Sequence, residues 1–169
     1  MKVKLSMEDL KNMQLSWKCI EPMLLAVRGK DYPTKIEMYQ KLNEGQKGLY
    51  LFYSFHNHAK TMAEFYWFSN YYITEIQSWS GIKSGVEFYQ DNEMVVLLDQ
   101  IELFIQQRNQ KNNLERKVSP SDLEIDEKLY NEVKVLFDRY RVLSENTIKL
   151  MNKWIINHEV DFIEIDFSK

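Results

Sequence analysis

Apolar residues recur every three or four positions along most of this chain, the spacing that lines one face of an α-helix. The first stripe is Leu10, Met13, Trp17, Ile20, Leu24, Val27, preceded by Ser6 and Asp9 in a pattern suited to an N-cap. Pro22 removes one backbone donor inside it and predicts a kink or a restart, and Gly29 closes it. Thr34 and Glu37 read as a capping box for a short helix through Ile36, Tyr39 and Leu42.

Asn43 and Gln46 then open the segment that dominates the chain. Its stripe is Leu51, Phe55, His58, Met62, Phe65, Ser69, Tyr72, Ile76, Trp79, with a second stripe through Phe52, His56, Ala59, Ala63, Tyr66, Asn70 and Ile73. Together they predict one long helix over about 44–79, apolar on more than one side and packed centrally. Its polar side, Ser54, Asn57, Thr61 and Glu64, turns aromatic at Phe68 and Tyr71.

Downstream, Ser84 and Glu87 suggest a cap for a helix reaching to about Gln110, with Asp91 and Asn92 able to break it. The polar run 106–118 reads as a loop. Ser121 and Glu124 suggest the cap of a last long helix through Leu129, Val133, Phe137, Tyr140, Met151 and Ile155, which Ser144 to Asn146 could bend. The alternating start "MKVKL" and end "EVDFIEIDF" could pair as a two-stranded ribbon; the other expectation is an extended or disordered tail at 159–169. The fold class expected is all-α: roughly five or six helices around the aromatic-rich segment, in a single helical domain over 1–169.

Composition narrows the classes of function. The 169 residues are 44% hydrophobic and 28% charged, as in ordinary globular chains. The longest apolar runs, Met94 to Leu98 and Met23 to Val27, fall far short of a bilayer span, and acidic and basic residues interrupt the start where a signal peptide would be apolar. With a single cysteine, Cys19, these features point to a cytoplasmic protein with no internal disulfide and no membrane contact. The net charge is −3 and lysines and arginines are scattered, so direct nucleic-acid binding is not expected.

Candidate chemistry is sparse. On an intact helix His56 and His58 point about 200° apart, so they cannot share one ion. The third histidine, His158, lacks a glutamate three positions before it, as do the other two. No metal and no cofactor are expected. There is no Gly-x-Ser-x-Gly turn and no glycine-rich phosphate loop. A pocket built from scattered residues would use Tyr53, His56 and Glu64. The aromatic density offers a different site: ten of the 23 aromatic residues lie between Tyr50 and Tyr72. Periodicity reads Trp67, Phe68 and Tyr71 as core, covered by the last long helix; the other reading is that they exceed what one core face holds, and surplus rings suit an apolar ligand groove or a contact with another protein or a second copy of this chain.

Leu42, the pair Gln46-Lys47, Tyr50, the segment Phe65 to Asn70 and the pair Leu97-Leu98 resemble a family of small helical bacterial domains that includes a DNA-mimic protein. The likeness spans roughly a third of the chain, and Met62 and Ala63 stand near the place of that family's Asn-Gly-Gly. It implies an all-helical domain and protein binding, and assigns no catalytic residue. The expected function is therefore a non-enzymatic binding or regulatory protein of a bacterial cytosol. The alternative is an enzyme or small-ligand binder with a His/Tyr/Glu pocket.

Overall fold

A computed structural model describes residues 1–111 and 118–166, and within them the chain is all-α apart from one short strand pair. Strand β1 (Val3–Leu5) leads into a 3₁₀ turn at Asp9–Lys11, and α1 follows at Leu15–Ala26. Ser6 and Asp9 do bond reciprocally: the Ser6 N–H and hydroxyl donate to Asp9 Oδ2 at 2.9 and 2.8 Å. They cap only that turn, so Leu10 and Met13 lie ahead of α1 rather than in it. Pro22 sits inside an uninterrupted α1, which corrects the expected restart. Helix α2 (Tyr32–Gln40) starts earlier than Thr34, because the Asp31 carboxylate accepts the Thr34 N–H at 3.0 Å.

The single long helix over 44–79 is not what forms. Helix α3 (Glu44–His56) opens with the Asn43–Gln46 capping box and stops at His56. A second capping box, Thr61 with Glu64, starts α4 (Met62–Asn70). A wide π-type turn at Tyr71–Glu75 follows, and Gln77 adopts a left-handed φ of 55°. A spacing of three and four survives so short an interruption, so the stripe alone could not reveal it. Helix α5 (Trp79–Phe88) begins before Ser84, and Asp91 breaks the chain as expected, its carboxylate accepting the Met94 N–H at 3.1 Å. Helix α6 (Asn92–Lys111) extends through the first part of the expected loop, and 112–117 lie outside the described residues.

Short α7 (Asp122–Ile125) precedes α8 (Glu127–Asn157), whose N-cap is Asp126 and not Ser121. No break occurs at Ser144 to Asn146. After a turn of helix, α9 (Glu159–Phe162), strand β2 (Ile163–Ile165) pairs in parallel with β1, Val3 opposite Ile163 and Leu5 opposite Ile165. Residues 163–165 thus pair with the chain's other end.

The core is unusually rich in rings. Phe55 lies at its centre, with the rings of Trp79, Tyr140, Tyr72 and Phe65 at 5.1, 5.5, 5.7 and 6.3 Å, three of the four edge-on. Such pairs add about 0.5–1.5 kcal/mol each beyond the area they bury. Trp79 satisfies its indole N–H on the Leu98 carbonyl at 3.1 Å, joining α5 to α6. Helices α3 and α5 cross where neither carries a side chain: Gly48 faces Gly85. Small residues at a crossing let backbones approach closely.

Candidate functional site

The break after α3 sets the geometry of the aromatic run. Glu64 Oε2 accepts the Thr61 N–H at 3.0 Å, and the Thr61 hydroxyl accepts the Glu64 N–H at 3.2 Å. That reciprocal pair satisfies two of the donors a helix start leaves open and lets α4 begin in a new direction. Phe65, Tyr66 and Ser69 then turn inward and are buried, while Trp67, Phe68 and Tyr71 remain half-buried.

Those three rings form one assembly. Trp67 lies flat on Tyr71, with centroids 5.2 Å apart and planes 8° apart. It meets Phe68 edge-on at 4.6 Å. Phe68 in turn stacks on the exposed His58 at 4.4 Å, and Tyr71 touches buried Tyr72 at 6.2 Å. Phe68 and Tyr71 also pack on the core, so the patch is anchored from below. The wide turn holds its far end: the Ile76 N–H reaches the Tyr71 carbonyl at 3.0 Å, and the Ser78 N–H reaches that of Tyr72 at 3.1 Å. The result is a continuous, half-buried aromatic patch with the exposed His58 at one edge.

The Tyr53, His56 and Glu64 pocket is only partly assembled. Tyr53 and His56 meet edge-on at 6.1 Å. The Tyr53 hydroxyl is engaged by Ser16 Oγ at 2.8 Å, and burial pushes it up to about 12. His56 stacks on Phe52 and places Nδ1 3.0 Å from the Tyr140 hydroxyl. Burial, with a smaller contribution from Lys60, lowers its pKa to about 4. It is therefore neutral at physiological pH, and its Nδ1 shares one hydrogen bond with the Tyr140 hydroxyl, itself pushed up by burial, whose direction follows the imidazole tautomer. Glu64 stands exposed on its helix cap instead of beside them. A carboxylate spent on a cap does not complete an acid–base set with a half-buried, neutral imidazole. His56 and His58 are separated by the end of α3 rather than by helix rotation, one turned inward and the other out. Among the described residues no group of three His, Cys, Asp or Glu side chains converges as metal ligands would.

Sequence reasoning missed a polar cluster that ties α4, α6 and α7 together. Arg108 Nε donates to the Tyr66 hydroxyl at 2.6 Å, and its guanidinium lies 3.7 Å from the Asp122 carboxylate and 3.6 Å from that of Asp126. Asn109 donates to Asn70 at 2.9 Å. Arg108 stands in a run whose polarity suggested a loop, and its partners Tyr66, Asp122 and Asp126 explain its role. With the geometry described, comparison with known proteins adds nothing to it: no protein family, no curated protein and no solved structure matches this chain.

Proposed function

We propose that this chain is a non-enzymatic protein-binding or regulatory protein of a bacterial cytosol, and that its partner docks on the ring surface of Trp67, Phe68 and Tyr71. The observation that carries this reading is the flat stack of Trp67 on Tyr71, half-buried and fixed on a packed base. Rigid amphipathic rings lose little conformational freedom on binding, and tryptophan and tyrosine are the residues on which interface energy concentrates. The separation of Glu64 from His56 weighs against an acid–base pocket. Scattered basic residues and a net charge of −3 weigh against a nucleic-acid partner. Among the described residues no helix is long and apolar enough to cross a membrane.

The test compares native-cell co-purification with the wild-type chain and with Trp67→Ala and Tyr71→Ala, followed by titration of the recovered partner. A loss of affinity of at least about tenfold at unchanged thermal stability is expected for a desolvated aromatic anchor. Recovery of the same partner at the same affinity by both variants would remove the ring surface from the function.

A further inference from the structure

In a parallel strand pair only alternate residues turn their backbone groups towards the partner strand. The Leu5 carbonyl accepts the Asp166 N–H, so in this register Val3 and Leu5 face β2 and Lys4 faces the other way. The Lys4 N–H and C=O have no hydrogen-bond partner among the described residues. Strand β1 therefore keeps one open edge, and an open edge is a template for another extended backbone. That edge borders a groove of about 470 Å³, a volume within the range of binding clefts. Pro22, Met23 and Ala26 of α1 and Met38 of α2 line the groove together with β1. Methionines make an adaptable apolar wall. No residue of α2 is buried, so few contacts fix Met38 in place.

We propose that this groove takes an extended segment of another protein as a third strand beside β1, with apolar and acidic side chains in alternation. The Lys4 backbone supplies the hydrogen bonds, and the apolar wall receives every second side chain. The chain's own β2 shows what β1 accepts. Ile163 and Ile165 lie level with Val3 and Leu5, and Glu164 lies level with Lys4 on the exposed face.

On that exposed face Lys4 reaches Glu164 at only 3.8 Å, and Lys2 has no ionic partner among the described residues. An acidic residue on the far side of β1 meets both lysines directly across the strand. The other charged groups at the groove are on the helix side: Lys18, held by Asp9, and Glu21. The side chains turned towards α1 are therefore the apolar ones, and the acids face Lys2 and Lys4. A second copy of the chain fits less well. Two β1 edges meeting about a two-fold axis set lysine against lysine. An edge of β1 on the β2 of another copy joins head to tail and leaves the next edge open. The groove involves neither Trp67 nor Tyr71, so the inference stands apart from the ring surface.

The test titrates the full chain into the fluorescein-labelled peptide Ile-Glu-Ile-Glu-Ile and follows anisotropy up to ~1 mM protein. Saturable binding is expected, and the peptide Ile-Lys-Ile-Lys-Ile should bind at least tenfold more weakly. Ala26→Phe fills the groove from an exposed position, so it should cost at least tenfold at an unchanged melting temperature. Two N-methylated peptides probe the backbone bonds without touching the protein's fold. Methyls on the first, third and fifth residues block one edge of the added strand, and methyls on the second and fourth block the other. One peptide should lose at least tenfold and the other should bind like the parent. Amide exchange read by NMR should show the Lys4 N–H newly protected in the complex, with Leu5 unchanged. No binding up to ~1 mM, equal affinities for the two methylated peptides, or an unprotected Lys4 N–H would each overturn the proposal. So would full binding by Ala26→Phe, equal binding of the basic peptide, loss of binding in Trp67→Ala, or protection of Lys4 by self-association alone.

Discussion

Gly48 and Gly85 bring the backbones of α3 and α5 into contact: a Cβ built on Gly85 would lie 2.7 Å from the Gly48 Cα. Backbone cannot swing aside as a side chain can, so Gly85→Ala forces the helices apart. It should destabilise the fold by about 1–3 kcal/mol, even though alanine is otherwise the better helix former by about 0.5–1 kcal/mol. Gly81→Ala is the control, because its close neighbour is the movable tip of Leu51. Urea midpoints that rank the two variants equally would contradict the backbone-contact account.

His56 should make stability depend on pH. Its folded pKa of about 4 lies below the ordinary histidine value of 6.5, so the unfolded chain binds the proton more readily. Stability from the neutral ring is fully present above 6.5 and declines as pH falls from there towards 4. The loss is up to about 3 kcal/mol, less whatever solvent screening remains at this partly exposed ring. His56→Asn should flatten that part of the profile. An NMR titration placing the His56 midpoint near 6.5 would refute it.

Asp91 and Thr147 form a buried pair, with the Thr147 hydroxyl 2.7 Å from Asp91 Oδ2 and both residues nearly inaccessible. Thr147→Val keeps the shape and withdraws the donor. It should cost about 1–3 kcal/mol, the penalty for a buried acceptor left short of a partner. Thermal melts of Thr147→Val and Thr147→Ser separate donor from volume, since serine retains the hydroxyl and should recover part of the loss.

Phe65 is 2% exposed and contacts Phe55, Phe137 and Tyr140, so Phe65→Ala should cost about 3–5 kcal/mol. Ile76, on the same sequence stripe, comes after the π-type turn and is only partly buried. Its truncation should fall at or below about 2 kcal/mol. Equal shifts in the denaturation midpoint would mean that the break after Asn70 does not reorient the stripe.

These residues also show what could be read from the sequence. Helicity was legible because three-and-four spacing reports the face of a helix wherever one exists, and the inward set Phe55, Phe65, Tyr72 and Trp79 lies on that spacing. The break between α3 and α4 was written too, as Thr61 followed three positions later by Glu64, but the same two residues fit a polar helix face equally well. Choosing between the readings requires knowing that His56 at the end of α3 and Phe65 on α4 both close on Tyr140 of α8, which is tertiary information. Asp31 displaced Thr34 as a cap by the same ambiguity. The parallel pairing of Val3 with Ile163 joins residues 160 positions apart, and no local pattern encodes a register over that distance. At the candidate site the surplus of rings was visible, whereas the engagement of His56 by Tyr140 depends on α8 crossing α3.

The strand pair has a mechanical consequence. Because β1 and β2 are parallel, the chain leaves Val3 at one end of the ribbon and Ile165 at the other. Tension applied across those two exits runs along the strands and loads their hydrogen bonds together, in shear, instead of peeling them one by one as in an antiparallel hairpin. The Asp166 N–H, 2.9 Å from the Leu5 carbonyl, adds one more bond to that set. Pulled by its ends, the fold meets its resistance at this small clamp before any helix is unwound.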